Sequence, residues 1–188
     1  QMARKEPVTL ERNTASPAQA LETTTYLEMH SPEELTPSRA DPGAFTLRRL
    51  PASEFALGRR LYQEVGSDYL WIDRLVWSDR QWLEFYQRPG TELWIGESAG
   101  APAGYSELDA RADGSTELAY FGLLPSAIGR GLGGLLLTAA IRRAWANGAK
   151  RVWVHTSSRD HAGALPNYLA RGFRIYHTET KLAPVQAG

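Results

Sequence analysis

The stretch PSAIGRGLGGLLL, residues 125–137, decides the fold. A glycine cluster that follows an apolar run and opens an amphipathic one can direct several free backbone N–H groups at a phosphate. The helix dipole adds partial positive charge at the same place. Gly129, Gly131 and Gly134 also satisfy the GxGxxG spacing of a dinucleotide loop, which by itself is a weak signal. The stretch therefore predicts a phosphate site at the start of a helix.

The surrounding sequence argues against the two best-known phosphate loops. ELWIGES (92–98), PAGYSELDA (102–110) and STELAYFGLLP (115–125) read as three successive antiparallel strands joined by glycine-containing turns. A dinucleotide fold needs a parallel unit instead, an acidic residue near 154–156 and more chain after the loop. The nucleotide-triphosphate loop is absent, because no GK followed by Ser or Thr occurs.

The rest of the pattern predicts a mixed α/β domain. Further strands are predicted at 23–31, 44–50, 150–158 and 173–182. Helices are predicted from Ser53 to Gly66, from a Ser78–Gln81 capping box to RPG (88–90), from Leu132 to Asn147, and near 161–171, with Pro166 expected to kink or delay the last one. The strand at 150–158 should lie parallel to the strand before the glycine loop through a right-handed crossover.

Length and charge limit the classes of protein. The 188 residues suit one domain, which we place at 22–188 behind a mobile N-terminal tail at 1–21. The 21 basic and 21 acidic residues cancel, so no global field favours nucleic acid or an anionic membrane, and no apolar run approaches the roughly 18 residues of a membrane span.

The sequence contains no cysteine, which excludes disulfides, thiolate metal sites and a cysteine nucleophile. A cytoplasmic location fits this composition. We also expect no metal site, because His155 and His161 are too few and are poorly joined by acidic residues at ligand spacing.

Three segments together resemble the GNAT acetyltransferases. IGRGLG (128–133) is similar to the family's Q/R-x-x-G-x-G/A pyrophosphate loop, with Ile128 at the usual Gln/Arg position. NYLARGF (167–173) is similar to its YxxxGF segment, and TELAYFGLLP (116–125) to its central strand. The resemblance implies a mixed, mostly antiparallel sheet flanked by helices, with a splayed parallel pair beside the cofactor loop. It also implies acetyl-coenzyme A as acyl donor.

The resemblance assigns residues to that cofactor. Backbone groups of the central strand near Phe121, Gly122 and Leu123 would bind pantetheine, and a strand glycine such as Gly122 often marks a bulge or a close backbone approach. Loop residues would hold the pyrophosphate through their amides, with added charge from the arginine: Ile128, Gly129, Arg130, Gly131, Leu132, Gly133 and Gly134. Asn167 on the last helix is a further candidate.

Acetyl transfer to an amine requires a proton acceptor, because an alkylammonium has a pKa of roughly 10. Glu117 lies where some members of the family place a glutamate base, and Glu107 and Asp109 are weaker candidates. Tyr168 lies where the family places the tyrosine that protonates the departing thiolate. A surface glutamate and a core tyrosine are the alternatives. With no cysteine available, direct attack in a ternary complex is the simpler mechanism.

The loop DYLWIDRLVWSD (68–79) lies where the family forms its acceptor pocket. Trp71, Asp73 and Trp77 would suit a cationic amine, with core packing of the tryptophans as the alternative. The expected function is acetyl transfer to a primary amine of a small molecule. A non-catalytic acyl-coenzyme A sensor and a protein N-acetyltransferase stay open, and an exposed strand edge would permit a homodimer.

Overall fold

The structure, a computed structural model, describes residues 18–185. This part of the chain forms seven strands and four α-helices. The strands are β1 (Gln19–Met29), β2 (Phe45–Leu50), β3 (Thr91–Ser98), β4 (Ala101–Ala110), β5 (Ser115–Leu123), β6 (Arg151–Ser157) and β7 (Arg174–Pro184). The helices are α1 (Phe55–Gly66), α2 (Asp79–Tyr86), α3 (Leu132–Ala146) and α4 (Ala164–Ala170).

The strands form one sheet in the order β2-β3-β4-β5-β6-β1-β7. Every neighbouring pair is antiparallel except β5 and β6. The parallel pairing runs only from Ser115 opposite Arg151 to Glu117 opposite Trp153, after which both strands continue apart. The predicted fold class, including the splayed parallel pair, is confirmed.

Helices cover both faces of the sheet. Side chains alternate between faces along a strand, so Tyr105 and Leu108 of β4 point to opposite sides. Tyr105 packs with Leu61 of α1 and Trp82 of α2, whereas Leu108 packs with Ile141 of α3. The two faces therefore carry separate apolar cores, and Glu117, which is paired with Asp109, lies on the α1–α2 side of the sheet.

The first strand takes an interior place in the sheet that sequence patterns did not indicate. It runs antiparallel between β6 and β7, and Thr25 lies opposite both Thr156 and Thr178. It also begins at Gln19, so residues 19–21 are a strand rather than part of the predicted tail. The other residues of that tail, except residue 18, lie outside the described part of the chain, as do residues 186–188 of the predicted domain.

The predicted helix boundaries are partly correct. The capping box of Ser78 and Gln81 forms at the start of α2. Ser53 does not cap α1, because a 3-10 turn over Ala52–Glu54 comes first and makes Glu54 the N-cap. The last helix begins at Ala164, later than 161, which places Pro166 in the first turn, where proline is tolerated.

Two kinds of feature are missing from residues 18–185. No helix in that range combines the length and apolar character that crossing a bilayer requires. Nor do three or more His, Asp or Glu side chains in the range cluster as a metal site would demand.

Candidate active site

The separation of β5 and β6 opens a cleft of about 1220 Å³. Its walls come from both strands, the glycine loop, the loop between α1 and α2, α4 and the end of β7. Most predicted site residues line it: Glu117, Tyr168, Phe121, Gly122, Leu123, Ile128, Gly129, Gly131, Gly133, Gly134, Asn167, Trp71 and Asp73. Arg130, Leu132 and Trp77 are not among its lining residues.

The glycine loop leaves backbone donors free at one end of the cleft. Gly129 and Gly131 adopt left-handed backbones with φ of +81° and +77°, which side chains disfavour. Gly131 is the N-cap of α3 and supplies no capping side chain. The first amides of a helix have no intrahelical acceptor, and the dipole places partial positive charge there. The loop therefore presents free backbone donors and partial positive charge to the cleft.

Arg171, which was not predicted from the sequence, places a cation near these donors. A Cβ added at Gly134 would overlap Nη1 of Arg171, so the guanidinium lies against the start of α3, although Arg171 is not among the residues that line the cleft. Nη1 donates to Oδ1 of Asn167 at 3.4 Å, and Nε is buried with no hydrogen-bond partner in the described chain. Arg171 thus connects Asn167 with the start of α3. Both residues belong to the NYLARGF segment (167–173).

Two loop side chains do not reach the cleft. Arg130 donates from Nη2 to Oγ of Ser98 at 2.9 Å. Leu132 is buried with Ala103 and Ala127 in a small apolar cluster. The Arg130 guanidinium therefore contacts Ser98 in this structure, and its predicted contact with phosphate stays a prediction. Leu132 can contribute only its backbone amide.

The β5 edge beside the loop is shaped by close packing at Gly122. A Cβ added there would lie 2.5 Å from Cγ1 of Val65 on α1. For Gly122 the sequence predicted either a bulge or a close approach, and the structure shows the close approach. The register shift of β5 against β4 occurs instead between Glu107 and Leu108, where Ala119 is the extra residue.

Glu117 lies at the last paired position before the two parallel strands part. It is 5% exposed, accepts a hydrogen bond from Nη2 of Arg111, and has Nδ1 of His155 3.5 Å from Oε1. Burial acts to raise the pKa of Glu117, but the nearby His155 ring, the hydrogen bond from Arg111 and the Arg111 charge outweigh it and lower the pKa. The side chain is an anion at neutral pH.

The two alternative carboxylates are held by arginines. Glu107 is fully buried and receives two hydrogen bonds of 2.7 Å from Arg74, although burial raises its pKa. Asp109 lies 3.2 Å from Nη2 of Arg88 and 3.4 Å from Nη2 of Arg111. Glu107 does not line the cleft. It serves as one half of a buried ion pair, which excludes it as a base at this site.

Tyr168 belongs to the core and to the cleft together. It is 4% exposed and packs its ring 6.0 Å from those of Phe121 and Phe173, measured between ring centres. Burial raises the pKa of its hydroxyl, so the proton is retained at neutral pH. A protonated hydroxyl at the wall of the cleft has the chemistry that a proton donor requires.

The two tryptophans predicted for the acceptor pocket, both in the loop between α1 and α2, lie in different surroundings. Trp71 lines the cleft with its ring 4.9 Å from that of Tyr120, and exposed Asp73 lies beside it in sequence. Trp77 instead packs 5.1 Å from Trp82. Trp77 packs against the core, in agreement with the alternative, and does not line the cleft, so its place in the acceptor pocket stays a prediction.

Arg74 fixes that loop and was missed from the sequence. Its guanidinium joins Glu107 of β4 and lies over the rings of Trp77, Phe85 and Tyr120 at 4.8, 4.2 and 4.5 Å from their centres. Its side chain also lines the cleft. In the sequence, the only sign of this role of Arg74 is an arginine within an aromatic segment, DRLVW (73–77).

The sequence profile of the acetyltransferase (GNAT) family matches residues 58–173. The chain belongs to that family. The match begins within α1 and ends directly after α4, so this GNAT domain includes the glycine loop, Glu117 and Tyr168. Acetyl transfer is accordingly the general activity of the family to which the cleft belongs.

Solved structures share the fold of this GNAT protein. A GCN5-related N-acetyltransferase from Kribbella flavida matches with a TM-score of 0.63 and 22% identity, covering 90% of this chain and 61% of its own. An IAA acetyltransferase from Bacillus cereus gives 0.55 and 21%, covering 71% and 79%. An aminoglycoside acetyltransferase from an uncultured soil metagenomic sample, in complex with sisomicin, gives 0.54 and 11%, covering 68% and 86%.

The comparisons also set a limit of length. The chain spans about three fifths of the length of the first solved structures that it matches. No curated protein matches the chain. At these identities the structural neighbours establish only the fold of the domain.

Proposed function

We propose that the protein transfers an acetyl group from acetyl-coenzyme A to a primary amine of a small molecule. The observation that carries the proposal is the convergence, in one cleft, of the glycine loop with Glu117 and Tyr168. Family membership supplies acetyl transfer as the general reaction. The cytoplasm is the proposed location, in keeping with a sequence that contains no cysteine.

The residues present fit the acyl donor. The left-handed glycines at 129 and 131 and the first amides of α3 would hold the pyrophosphate. Arg171 does not line the cleft and would add only the field of its positive charge. The edge of β5 from Phe121 to Leu123, which has no β6 partner, would pair with the pantetheine amides. When bound there, acetyl-coenzyme A supplies the thioester that the amine attacks.

The proton chemistry falls to two buried side chains. Glu117 is an anion that can draw a proton away from the attacking nitrogen, directly or through a neighbouring group. Tyr168 keeps its hydroxyl proton and can give it to the departing sulfur. Since no cysteine occurs in the sequence, we propose direct attack in a ternary complex rather than a covalent acetyl-enzyme.

The acceptor side of the cleft favours an amine. Exposed Asp73 and the ring of Trp71 line it together, and a carboxylate beside an aromatic face suits a cation before it is deprotonated. Because an aminoglycoside acetyltransferase with this fold was solved with sisomicin, sisomicin is a reasonable first acceptor to test here.

The first test separates cofactor binding from backbone strain. Gly129→Val and Gly148→Val each place a β-branched residue at positive φ with no heavy atom within 4 Å of the new Cβ, and only Gly129 lines the cleft. Both variants should lose about 1–2 kcal/mol of stability. Only Gly129→Val should weaken acetyl-coenzyme A binding, by about tenfold or more in calorimetric Kd. Equal binding in both variants would contradict the loop assignment.

A second measurement distinguishes the enzyme from a sensor. Thiol release is followed with acetyl-coenzyme A and sisomicin, spermidine or tryptamine, for wild type, Glu117→Gln and Tyr168→Phe. An enzyme releases thiol only when amine is present, and each variant should lose turnover while still binding the cofactor. Tight cofactor binding without release for any amine would favour the non-catalytic sensor or a protein acceptor.

A further inference from the structure

The surroundings of Glu117 make it a poor direct base. One carboxylate oxygen, Oε2, accepts from Arg111, and the other, Oε1, faces Nδ1 of His155 at 3.5 Å. Both oxygens therefore have a partner, and the side chain is 6% exposed. A carboxylate that is stabilised as an anion by two donors also has reduced affinity for a proton.

His155 lies beside Glu117 and is far more exposed to the cleft. It follows Trp153, the last residue of β6 paired with β5, by two positions, so both side chains point to the same face of the sheet. Its side chain is 44% exposed and lines the cleft. The ring is flanked by those of Tyr26 and Trp153, at 5.6 and 6.2 Å between centres. These contacts hold it at the mouth of the split.

We infer that His155 is the general base of the proposed acetyl transfer and that Glu117 is a positioning residue acting through it. The inference rests on the proposed function. With Nδ1 turned to the anionic Glu117, the proton of the neutral ring belongs on Nδ1, and Nε2 keeps its lone pair for the acceptor. A carboxylate that orients a histidine in this way is a common arrangement in general-base catalysis.

In the proposed step one bond forms, one bond breaks and two protons move. The amine nitrogen forms a bond to the carbonyl carbon, the carbon–sulfur bond breaks, and the sulfur leaves with its electron pair. The proton that the nitrogen loses goes to Nε2 of His155, and the sulfur takes the proton of the Tyr168 hydroxyl. His155 then returns its proton to solvent, to which its ring is open, and Tyr168 regains one.

The kinetic test uses removal and rescue. His155→Ala should lower kcat for the best of sisomicin, spermidine and tryptamine by about 10²–10⁴-fold, with the KM for acetyl-coenzyme A unchanged. Added imidazole should restore part of that rate. Glu117→Gln should lose less and should not respond to imidazole. A merely structural histidine would not be rescued.

The matched control is His177→Ala. This histidine lies against Tyr26 from β7, has a side chain 52% exposed, and does not line the cleft. It should keep wild-type turnover and show no imidazole effect. The variant therefore controls for acetyl transfer to imidazole itself. Wild-type kcat in His155→Ala, or loss in Glu117→Gln that far exceeds the loss in His155→Ala, would overturn the inference in favour of Glu117 as base.

A measurement on the protein alone keeps the inference testable if none of the three amines is acetylated. Ring ¹⁵N chemical shifts, with His155→Gln used to assign the signal, report which nitrogen carries the proton in the neutral imidazole. We expect Nδ1 in wild type and a mixture in Glu117→Gln. A proton on Nε2 in wild type would refute the base assignment, whereas absence of any amine-dependent thiol release would refute the proposed function alone.

Discussion

Glu117 carries its charge almost out of contact with water, and its neighbours determine what it can do. At 5% exposure an isolated carboxylate would prefer to be neutral, but Arg111 and His155 reverse that preference. At the scale of single residues the cleft therefore contains an oriented anion, a half-exposed imidazole and a protonated phenol. In the proposed reaction the anion and the imidazole take part in proton removal, and the phenol donates a proton.

The lowered pKa of Glu117 has a consequence for stability. Its folded-state pKa lies below the ordinary 4.5, so ionisation favours the folded state above that pH, and the contribution disappears as pH falls through the folded value. We expect Glu117→Gln to reduce the free energy of unfolding by about 1–3 kcal/mol at pH 7. Urea unfolding at several pH values should show the difference from wild type shrinking as the pH falls below 4.5.

Glu64→Gln is the control for that series. Glu64 forms an exposed i,i+4 pair with Arg60 on α1, with half of its side chain exposed. Such pairs contribute little, so its difference from wild type should stay near zero at every pH. A Glu117→Gln difference that is constant with pH would show that the variant acts through packing and not through charge.

At the scale of elements, the loop between α1 and α2 is held by one buried ion pair. Arg74 joins the loop to Glu107 of β4 by two hydrogen bonds of 2.7 Å, and its backbone N–H donates to the Tyr62 hydroxyl at 3.2 Å. Trp71 and Asp73 precede it in the same loop. The wall that we assign to the acceptor thus takes its position from β4.

Breaking this pair on one side should be costly. Arg74→Met leaves Glu107 buried without its partner, and we expect a loss of about 3–5 kcal/mol in urea unfolding. Replacing both residues, as in Arg74→Met with Glu107→Leu, should recover most of that loss, because no buried charge remains. Arg88→Met, which breaks the partly exposed pair with Asp109, should cost about 1 kcal/mol or less.

The comparison would fail if the double variant were no more stable than Arg74→Met. That result would show that the apolar stem and aromatic contacts of Arg74, and not its charge pairing, hold the loop. Acetyl-coenzyme A binding by calorimetry should be unchanged in the double variant, because the glycine loop lies elsewhere on the cleft wall.

At the scale of the whole molecule, β1 joins the two ends of the described chain. It pairs with β6 through Thr24 to Met29 and with β7 through Gln19 to Glu28, so β7 reaches the rest of the sheet only through it. The end of β7 in turn lines the cleft. A strand at the beginning of the sequence therefore supports a site built largely from residues after 115.

Proline in the middle of β1 should test this role. Thr25 is 8% exposed and lies between Thr156 and Thr178, and an interior proline removes a ladder hydrogen bond. We expect Thr25→Pro to lose ~3 kcal/mol or more, with a lower Tm by circular dichroism and faster amide exchange in β7. The control Thr25→Val keeps the backbone donor and should retain exchange protection. A wild-type Tm in Thr25→Pro would show that β7 does not depend on β1.

Interactions between neighbouring residues were readable from the sequence. The glycine loop before α3, the Ser78–Gln81 capping box and the antiparallel run from β3 to β5 each depend on a few adjacent residues. Steric limits on φ and the periods of helix and strand act over that distance. Together with the family resemblance, they determined the fold class and the position of the glycine loop at the start of a helix.

Only the tertiary structure decided which distant residues meet. The sequence identified a strand near 23–31 but not its place beside β6, more than a hundred residues away. It named Trp71 and Trp77 alike, and it did not connect Arg74 with Glu107 or His155 with Glu117. Sequence periodicity establishes which face of an element is buried, whereas packing of that face against a remote element determines each partner.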